Sequence, residues 1–350
     1  MTMMIDNPSR RQWQRYVATS DSAIYAHHAD WAGQLAATYD LPLFRLASCD
    51  SGSGQLRGIL PLSLFAPPDG ARRLISLPYT DAAGIAADDR RSAWQLLAAA
   101  LALANRLGAN HLELRQGNRF AEGFPATVDN DHWCYQSYNF KTGLTRTLPG
   151  YPGQLWADLP AKVRNQVRKA RRSGCTIVTR GLELLDDFYG VFAENMRDLG
   201  SPVHSLELFH RLLTRSALPA AIILVYHDQK PAAGAVVFRH NGTASNPWAS
   251  SLRRCRPLCA NMLLYWGMLE YAIATGCQQF DFGRSTVNAP THRFKSQWGA
   301  RPQPLSWHIF SRPQTTWDPR QESLSLANVR VLELADSRRD GPERRRWISL

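Results

Sequence analysis

The sequence predicts an α/β (α+β) fold laid down twice by internal duplication. In each half, short strand-forming runs precede one long apolar helix, a glycine stop and a further strand, the order that favours a parallel crossover. The two units can be laid over each other: Ala104, Gly108 and Glu113 match Ala272, Gly276 and Asp281, each offset by 168 residues, and a Leu-Leu pair precedes both with a one-residue slip. A length of 350 residues suits two domains on a prior of roughly 100–200 residues each.

In the first half, strands are expected at Leu43–Ala47, Leu56–Phe65 and Arg73–Leu77, with Gly54-Gln55-Leu56 opening a hairpin. A helix follows at Ser92–Leu107, stopped by Gly108, then a strand at His111–Arg115. The apolar run Ala93–Ala104 inside that helix is shorter than the about 20 residues a bilayer needs, and reads as a buried helix. In the second half, strands are expected at Ala221–His227, Ala232–Arg239 and Ala244–Ala249, with Asp228-Gln229-Lys230 opening the matching hairpin. A helix over Ala260–Thr275 ends at Gly276, and a strand follows at Gln278–Phe282. The turn-rich run Leu148–Gly153 reads as a linker. Past Phe310 the signal weakens: Pro313 and Pro319 break the chain, a short helix fits Glu322–Leu334, and Arg338–Arg346 is a basic, solvated tail. The expected domains are therefore 1–147, 148–310 with the active cleft, and a tail over 311–350.

Hydrophobic residues make up 44% and charged residues 20%, the composition of an ordinary globular protein. Lys and Arg number 41 against 29 Asp and Glu, and the net charge of +12 points to an anionic partner: nucleic acid, a nucleotide, a phosphorylated carrier or an acidic membrane face. The six cysteines form no C-x2-C pair and no metal-ligand set, so they read as reduced thiols of a cytosolic protein without metal. The N-terminal MTMMIDNPSRRQWQRY lacks the apolar centre of a signal peptide. His27-His28 has no metal-ligand partners and reads as structural, and P-loop and nucleophile-elbow motifs are absent.

The run Ala161–Ser173 places Arg164, Arg168, Arg171 and Arg172 on one helix face, with no acid between Asp158 and Glu183. Like charges at that spacing repel, and phosphate oxygens relieve them. Arg164, Arg168 and Arg172 are thus candidates for anion or donor binding, against the alternative of a charged outer face paired elsewhere.

Several motifs in order carry a family likeness: LPAKVRNQVRKA at 159–170, MRDLGSPVH at 196–204, NPWASS at 246–251, FDFGRS at 280–285 and FKSQWGA at 294–300. Over residues 20–310 the chain resembles FemAB-like proteins, and more closely the FemAB-related proteins found with exosortase and PEP-CTERM exopolysaccharide systems. The resemblance implies two tandem GNAT-like acyltransferase domains. FemAB relatives move an amino acid from aminoacyl-tRNA onto an amine of a peptidoglycan precursor, and other members resemble ordinary acyltransferases. This chain lacks the long charged coiled-coil insertion of the peptidoglycan enzymes. By resemblance, Lys295 of the Phe294-Lys295 pair lies beside the reacting ester, where a fixed cation stabilises the oxyanion.

Around it, Phe294 walls the site. Asp281 either takes a proton from the attacking amine or pairs with Arg284, and Arg284 binds an anionic substrate group or serves that pair. His204, after the stiff Pro202 turn, is a candidate base or substrate contact. Asn246, Trp248 and Ser250 alternate on one strand and would share a face lining an acceptor pocket, or pack in the core. A coenzyme A pyrophosphate loop of the form [Q/R]-x-x-G-x-[G/A] falls on Arg256–Asn261, which has Arg256 and Ala260 before Asn261 but lacks the glycine; Arg253, Arg254 and Arg256 keep a phosphate contact open. The first-half counterpart near Gly84 carries Asp88 and Asp89, which would repel phosphate.

The expectation is a cytoplasmic transferase, peripheral to the inner membrane where its acceptor is lipid-linked. It would use acyl-CoA or aminoacyl-tRNA as donor, with no bound cofactor, and form an amide or ester on a glycan or peptide precursor of the cell envelope or an exopolysaccharide. The competing class is a non-catalytic basic module that binds nucleic acid or an anionic polymer, for which the arginines of the basic helix matter and Lys295 does not.

Overall fold

The computed structural model describes residues 2–66, 72–117, 120 and 133–313, so the expected helix at 322–334 and the basic tail lie outside the described residues. The chain runs β1 (Thr2–Asp6), α1 (Arg10–Thr19), α2 (Ala29–Tyr39), β2 (Leu43–Asp50), β3 (Leu56–Phe65), β4 (Arg73–Ile75), β5 (Ala86–Ala87), α3 (Arg90–Arg106), β6 (His111–Gln116) and β7 (Cys134–Tyr138). It continues with β8 (Lys141–Thr147), α4 (Pro152–Asp158), α5 (Ala161–Arg172), β9 (Thr176–Arg180), α6 (Leu185–Asp198), α7 (Leu206–Thr214), β10 (Ala220–His227), β11 (Lys230–His240), β12 (Thr243–Ser251) and α8 (Ala260–Ala274). The last elements are β13 (Gln279–Thr286), α9 (Pro290–Ser296), β14 (Arg301–Pro304) and β15 (Ser306–Ser311).

Two helix stops of the same design confirm the internal match. Gly108 (φ +63°) ends α3, and Ala109 N–H donates back to the Ala104 carbonyl at 2.8 Å. Gly276 (φ +78°) ends α8, and Cys277 N–H donates to the Ala272 carbonyl at 2.9 Å. In both cases a left-handed glycine lets the chain turn and satisfy a terminal carbonyl. Each helix then delivers a strand that pairs in parallel with an earlier strand of its unit. Arg73–Ile75 of β4 pairs with His111–Glu113 of β6, and Thr243–Ser245 of β12 pairs with Gln279–Asp281 of β13. Mixed sheets with a parallel crossover in each unit are those of two GNAT-like domains.

The first sheet has the order β1-β2-β3-β4-β6-β15-β7, with β5 on β3. The second has the order β14-β8-β13-β12-β11-β10-β9. By packing, one unit takes the residues up to Leu144, Arg284–His292 and the described residues from Pro302; the other takes Thr145–Gly283 and Arg293–Arg301. The chain after Arg301 thus returns to the first sheet, where β15 sits between β6 and β7. That strand follows from no local signal, because Ser306–Ser311 alternates too briefly to stand out.

Local sequence sets most boundaries. β4 stops at Ile75, short of the expected Leu77, because Leu77 and Tyr79 take left-handed backbone (φ +57° and +63°). The β10–β11 hairpin turns on Asp228 and Gln229, both at positive φ, as a tight turn matched to strand twist requires. The run Leu148–Gly153 is not a free linker: Leu148 N–H donates to the Gln278 carbonyl at 2.8 Å, and Pro152-Gly153 opens α4 with proline in the first turn.

In the first unit, Leu96, Leu97, Ala100, Leu103 and Ala104 of α3 pack on Leu46, Leu60, Leu62, Leu112 and Leu114 of the sheet. In the second, α8 is apolar almost all round, because the sheet covers one side and α4 and α5 the other. Among the described residues no helix is long and apolar enough to cross a membrane, and no group of three or more His, Cys, Asp or Glu is placed to hold a metal. All six cysteines are free thiols.

The first unit buries a histidine with a pH consequence. His308 on β15 is fully buried, its Nδ1 is 2.8 Å from the Tyr135 hydroxyl, and burial depresses its pKa to about 4. The unfolded chain protonates near pH 6.5, so the stability that depends on neutral His308 is complete above about pH 6.5 and is lost as pH falls toward 4. Thermal melts from pH 7 to 4 should show a fall in stability on the order of 3 kcal/mol from this residue, flattened in His308→Phe. An unchanged slope in the variant would remove His308 as the cause.

Candidate functional site

β12 and β13 pair for three residues and then part. Beyond Ser245, β12 stays on β11 alone, and beyond Asp281 no residue of β13 pairs with β12. The parting begins at Pro247, which has no N–H to donate to a ladder. The register of β11 against β12 shifts between Val236 and Phe238, so Asn246 and Pro247 form a bulge. The buried Asn246 amide fills it, donating to the Val236 and Trp248 carbonyls at 3.0 Å each. Crevices of this kind, at the C-terminal ends of parallel strands, are where α/β sheets bind ligands.

α8 starts at that edge. Its N-cap, Cys259, is left-handed (φ +61°), and no side chain caps the helix. The first N–H groups of a helix have no partner within it, and the helix dipole makes this end electropositive. Arg253, Arg254 and Arg256 lie in the 3-10 turn just before it, all exposed; Arg254 is ion-paired with Glu194 of α6. Cys259 therefore takes the backbone conformation for which the expected motif uses glycine, although the glycine is missing. Asn261, half-buried, is the second residue of α8.

The same place in the first unit is closed by its own chain. Asp89 caps α3, accepting from Ser92 N–H at 2.7 Å. The segment from Ser76 to Ile85 runs along the end of β6, with Ala83 and Gly84 N–H donating to the Arg115 carbonyl. The Gln116 amide clamps Ile85 at both N–H and C=O (2.9 and 2.7 Å). His27 Nε2 is 2.9 Å from the Gly84 carbonyl, the structural role expected of that histidine. A Cβ on Gly84 would stand 2.9 Å from the Arg115 carbonyl oxygen and against the Gln116 amide, so any larger residue forces a shift there. Glu113, the counterpart of Asp281, is fully buried; burial alone would raise its pKa, but Arg115 (2.6 Å) and His111 pull it down to about 2.

The remaining candidates fall into separate neighbourhoods. Phe294 and Lys295 lie on the short helix α9, both half-buried, and Phe294 meets Tyr265 of α8 edge-on at 4.8 Å. Tyr265 also stacks near Phe282 and Trp298, and burial raises its pKa to about 12. That aromatic cluster fixes α9, and with it Lys295, against α8. Asp281 is half-buried and accepts from Gly283 N–H at 2.8 Å. Arg284 is held by Asp81, Nε to Oδ1 at 3.0 Å and backbone N–H to Oδ2 at 3.1 Å.

The bulge corrects the face expected for Asn246, Trp248 and Ser250. Trp248 and Ser250 pair with Val236 and Gly234 on the face covered by α6 and α7, while Asn246 sits in the bulge. Trp248 is packed on Phe209 (4.9 Å), His204 (5.6 Å) and Phe238 (6.2 Å), and Ser250 Oγ accepts from Asn195. His204 belongs to that aromatic layer, and desolvation lowers its pKa to about 4. The layer lies on the sheet face opposite α8, so the structure does not bring His204 beside Lys295.

On α5, Val163, Val167 and Ala170 are buried toward α8. Arg164 donates to the Ala157 carbonyl, Arg168 lies over Trp156 at 5.4 Å and donates to Asn165, and Arg172 is exposed. Sequence reasoning missed Asp81 and Lys141, which flank Arg284; 203 residues separate Asp81 from it, and no local pattern links them.

Residues 159–296 match the family model described as an acetyltransferase (GNAT) domain. No curated protein matches the chain in sequence. Among solved structures the fold is similar to FemX (12% identity, TM-score 0.64, covering 88% of this chain and 96% of that one). It is also similar to L-PGS from Bacillus licheniformis (12%, 0.58, 95% and 98%). A tandem GNAT protein from the clavulanic acid biosynthesis pathway is a third (16%, 0.57, 90% and 100%). The family match thus falls mostly on the second unit, within a chain folded as two GNAT-like domains.

The left-handed Cys259 is testable on its own. Cys259→Gly should leave stability within about 1 kcal/mol of the parent, whereas Cys259→Val should cost about 1–2 kcal/mol in thermal denaturation, because a branched side chain resists this backbone. Equal melting of the two variants would contradict the geometry.

Proposed function

We propose that the chain is an N-acyltransferase whose donor binds where β12 and β13 part, with its anionic portion on the uncapped N-terminus of α8, and whose acceptor is an amine of a cell-envelope or exopolysaccharide precursor. The observation that carries this reading is the contrast between the two crossovers: a helix end without a side-chain cap, preceded by three exposed arginines, in one, and a capped end with the chain laid against it in the other.

In this reading the acceptor amine attacks the donor's ester or thioester carbonyl. A C–N bond forms, the carbonyl oxygen becomes an oxyanion, and the intermediate collapses with loss of the thiolate or alkoxide. Lys295, half-buried and seated through Phe294 on Tyr265, stabilises the oxyanion; an ammonium held in place is worth far more than a mobile one. Asp281 takes the proton released by the amine. Activated esters need little base help, so positioning supplies most of the rate.

Both donors remain in play. Coenzyme A esters fit the α8 terminus with Arg253, Arg256 and Asn261; aminoacyl-tRNA fits the exposed face of α5 with Arg164, Arg168 and Arg172. The similarity to FemX and to L-PGS supports aminoacyl transfer to a cell-envelope component. A second reading, a basic module that binds nucleic acid or an anionic polymer, draws on one observation: among the described residues only Arg171 of the α5 cations has a carboxylate within ion-pair distance (Glu270, 3.9 Å).

Mass spectrometry of acceptors incubated with coenzyme A esters or aminoacyl-tRNA separates these outcomes. Lys295→Ala should lower kcat/KM by about 10²–10³-fold with unchanged melting. Near-parent activity would remove Lys295 from the mechanism. Donor binding should weaken steeply with salt if the donor is tRNA, through counterion release, and only modestly if it is a coenzyme A ester.

A further inference from the structure

An ammonium stabilises an oxyanion only when it is held in place. Lys295 sits on α9, a helix of just seven residues, and so short a helix depends on tertiary support. The edge-on contact of Phe294 with Tyr265 supplies one anchor. A second anchor is polar and comes from Arg146, near the end of β8.

The turn that ends α9 is a ladder of three backbone bonds. Gln297 N–H donates to the Arg293 carbonyl at 3.2 Å, Trp298 N–H to the Lys295 carbonyl at 3.1 Å, and Gly299 N–H to the Ser296 carbonyl at 2.9 Å. The Trp298 carbonyl lies beyond that ladder, and Arg146 donates to it through Nη1. The backbone of Trp298 therefore joins Lys295, through its N–H, to Arg146, through its C=O. The Trp298 side chain is fully buried and stacks near Tyr265, which fixes the middle of this link.

Gly299 shows how closely Arg146 approaches the turn. Its φ of +76° suits glycine, and a Cβ there would stand 2.7 Å from Arg146 Nη1 and 3.1 Å from Cζ. Arg146 is half-buried, and burial lowers its pKa, with the Asp158 carboxylate at the end of α4 opposing. A hydrogen bond from a charged donor is roughly twice as strong as one between neutral groups, so the guanidinium grips the turn more firmly than a neutral side chain would.

We propose that Arg146 is a positioning residue for Lys295: its hold on the Trp298 carbonyl sets the turn after α9 and so the place of the lysine ammonium. No proton or bond of the transfer passes through Arg146 itself. That Lys295 meets the oxyanion rests on the transferase reading; the hold on its backbone does not.

Two measurements on the full chain test this. The first needs no activity: trace acetylation with acetic anhydride, read lysine by lysine by mass spectrometry, with the exposed Lys162 and Lys169 as internal references. Arg146→Met should raise the labelling rate of half-buried Lys295 about tenfold, the loss of one charge-assisted hydrogen bond, and leave Lys162 and Lys169 at the parent rate. Arg146→Lys, which keeps a cationic donor, should label Lys295 at a rate between the two. The second is a double-mutant cycle on transfer. Arg146→Met should lower kcat about tenfold with KM within about twofold of the parent, and should lower kcat no further when Lys295→Ala is already present. Parent-like labelling of Lys295 in Arg146→Met, or a full loss of kcat from Arg146→Met on top of Lys295→Ala, would overturn the proposal. Arg146→Gln serves where Arg146→Met fails to fold, and labelling of Lys295 there at the parent rate counts equally against it. Were Lys295 labelling to depend on Arg146 while no donor yields product, the hold would stand and the transferase reading would fall.

Discussion

A helix that follows a parallel strand presents unpartnered N–H groups and a positive dipole at the edge where its two strands separate, and something must satisfy them. This chain meets that constraint twice, in opposite ways. At α3 the answer is internal: Asp89 supplies the cap, and the chain from Ser76 to Ile85 is laid against β6. At α8 no side chain among the described residues caps the helix. A left-handed cysteine turns the chain into the helix, and arginines rather than acids lead up to it. The donor site proposed above follows from that difference, because an uncapped helix N-terminus favours an anion.

The divergence extends to the strands. In the first unit the acid at the matched position, Glu113, is sealed between Arg115 and His111 and held ionised by them, a network that fastens β6 and leaves nothing to react. In the second, Asp281 stays half-exposed and turns its oxygen to the Gly283 N–H, shaping the chain where β13 leaves β12. Burial converted one copy into scaffold, while a proline and a bulge kept the other copy's strands apart.

Much of the fold was legible from the sequence, because its signals are local. The glycine stops at Gly108 and Gly276 and the spacing that relates them mark the duplication, and the expected strand over Leu56–Phe65 coincides with β3. The site was legible only in part. The acids at Asp88 and Asp89 signalled the closed crossover, and the arginines before α8 signalled the open one. The αL backbone at Cys259 was hidden, since nothing in a cysteine asks for positive φ. The face expected for Asn246 failed because one bulge at Pro247 shifts the alternation for every residue after it. Asp81 and Lys141 were invisible, because the contacts that bring them to β13 depend on the chain's long-range path rather than on neighbours in sequence.

The most direct measurement is residue-resolved amide hydrogen exchange of the full chain with and without saturating donor. The account predicts added protection at Ala260, Asn261 and Met262, the first residues of α8, and none at Arg90, Arg91 and Ser92, where Asp89 already caps α3. Protection at the start of α3, or donor binding that leaves the start of α8 unprotected, would contradict it.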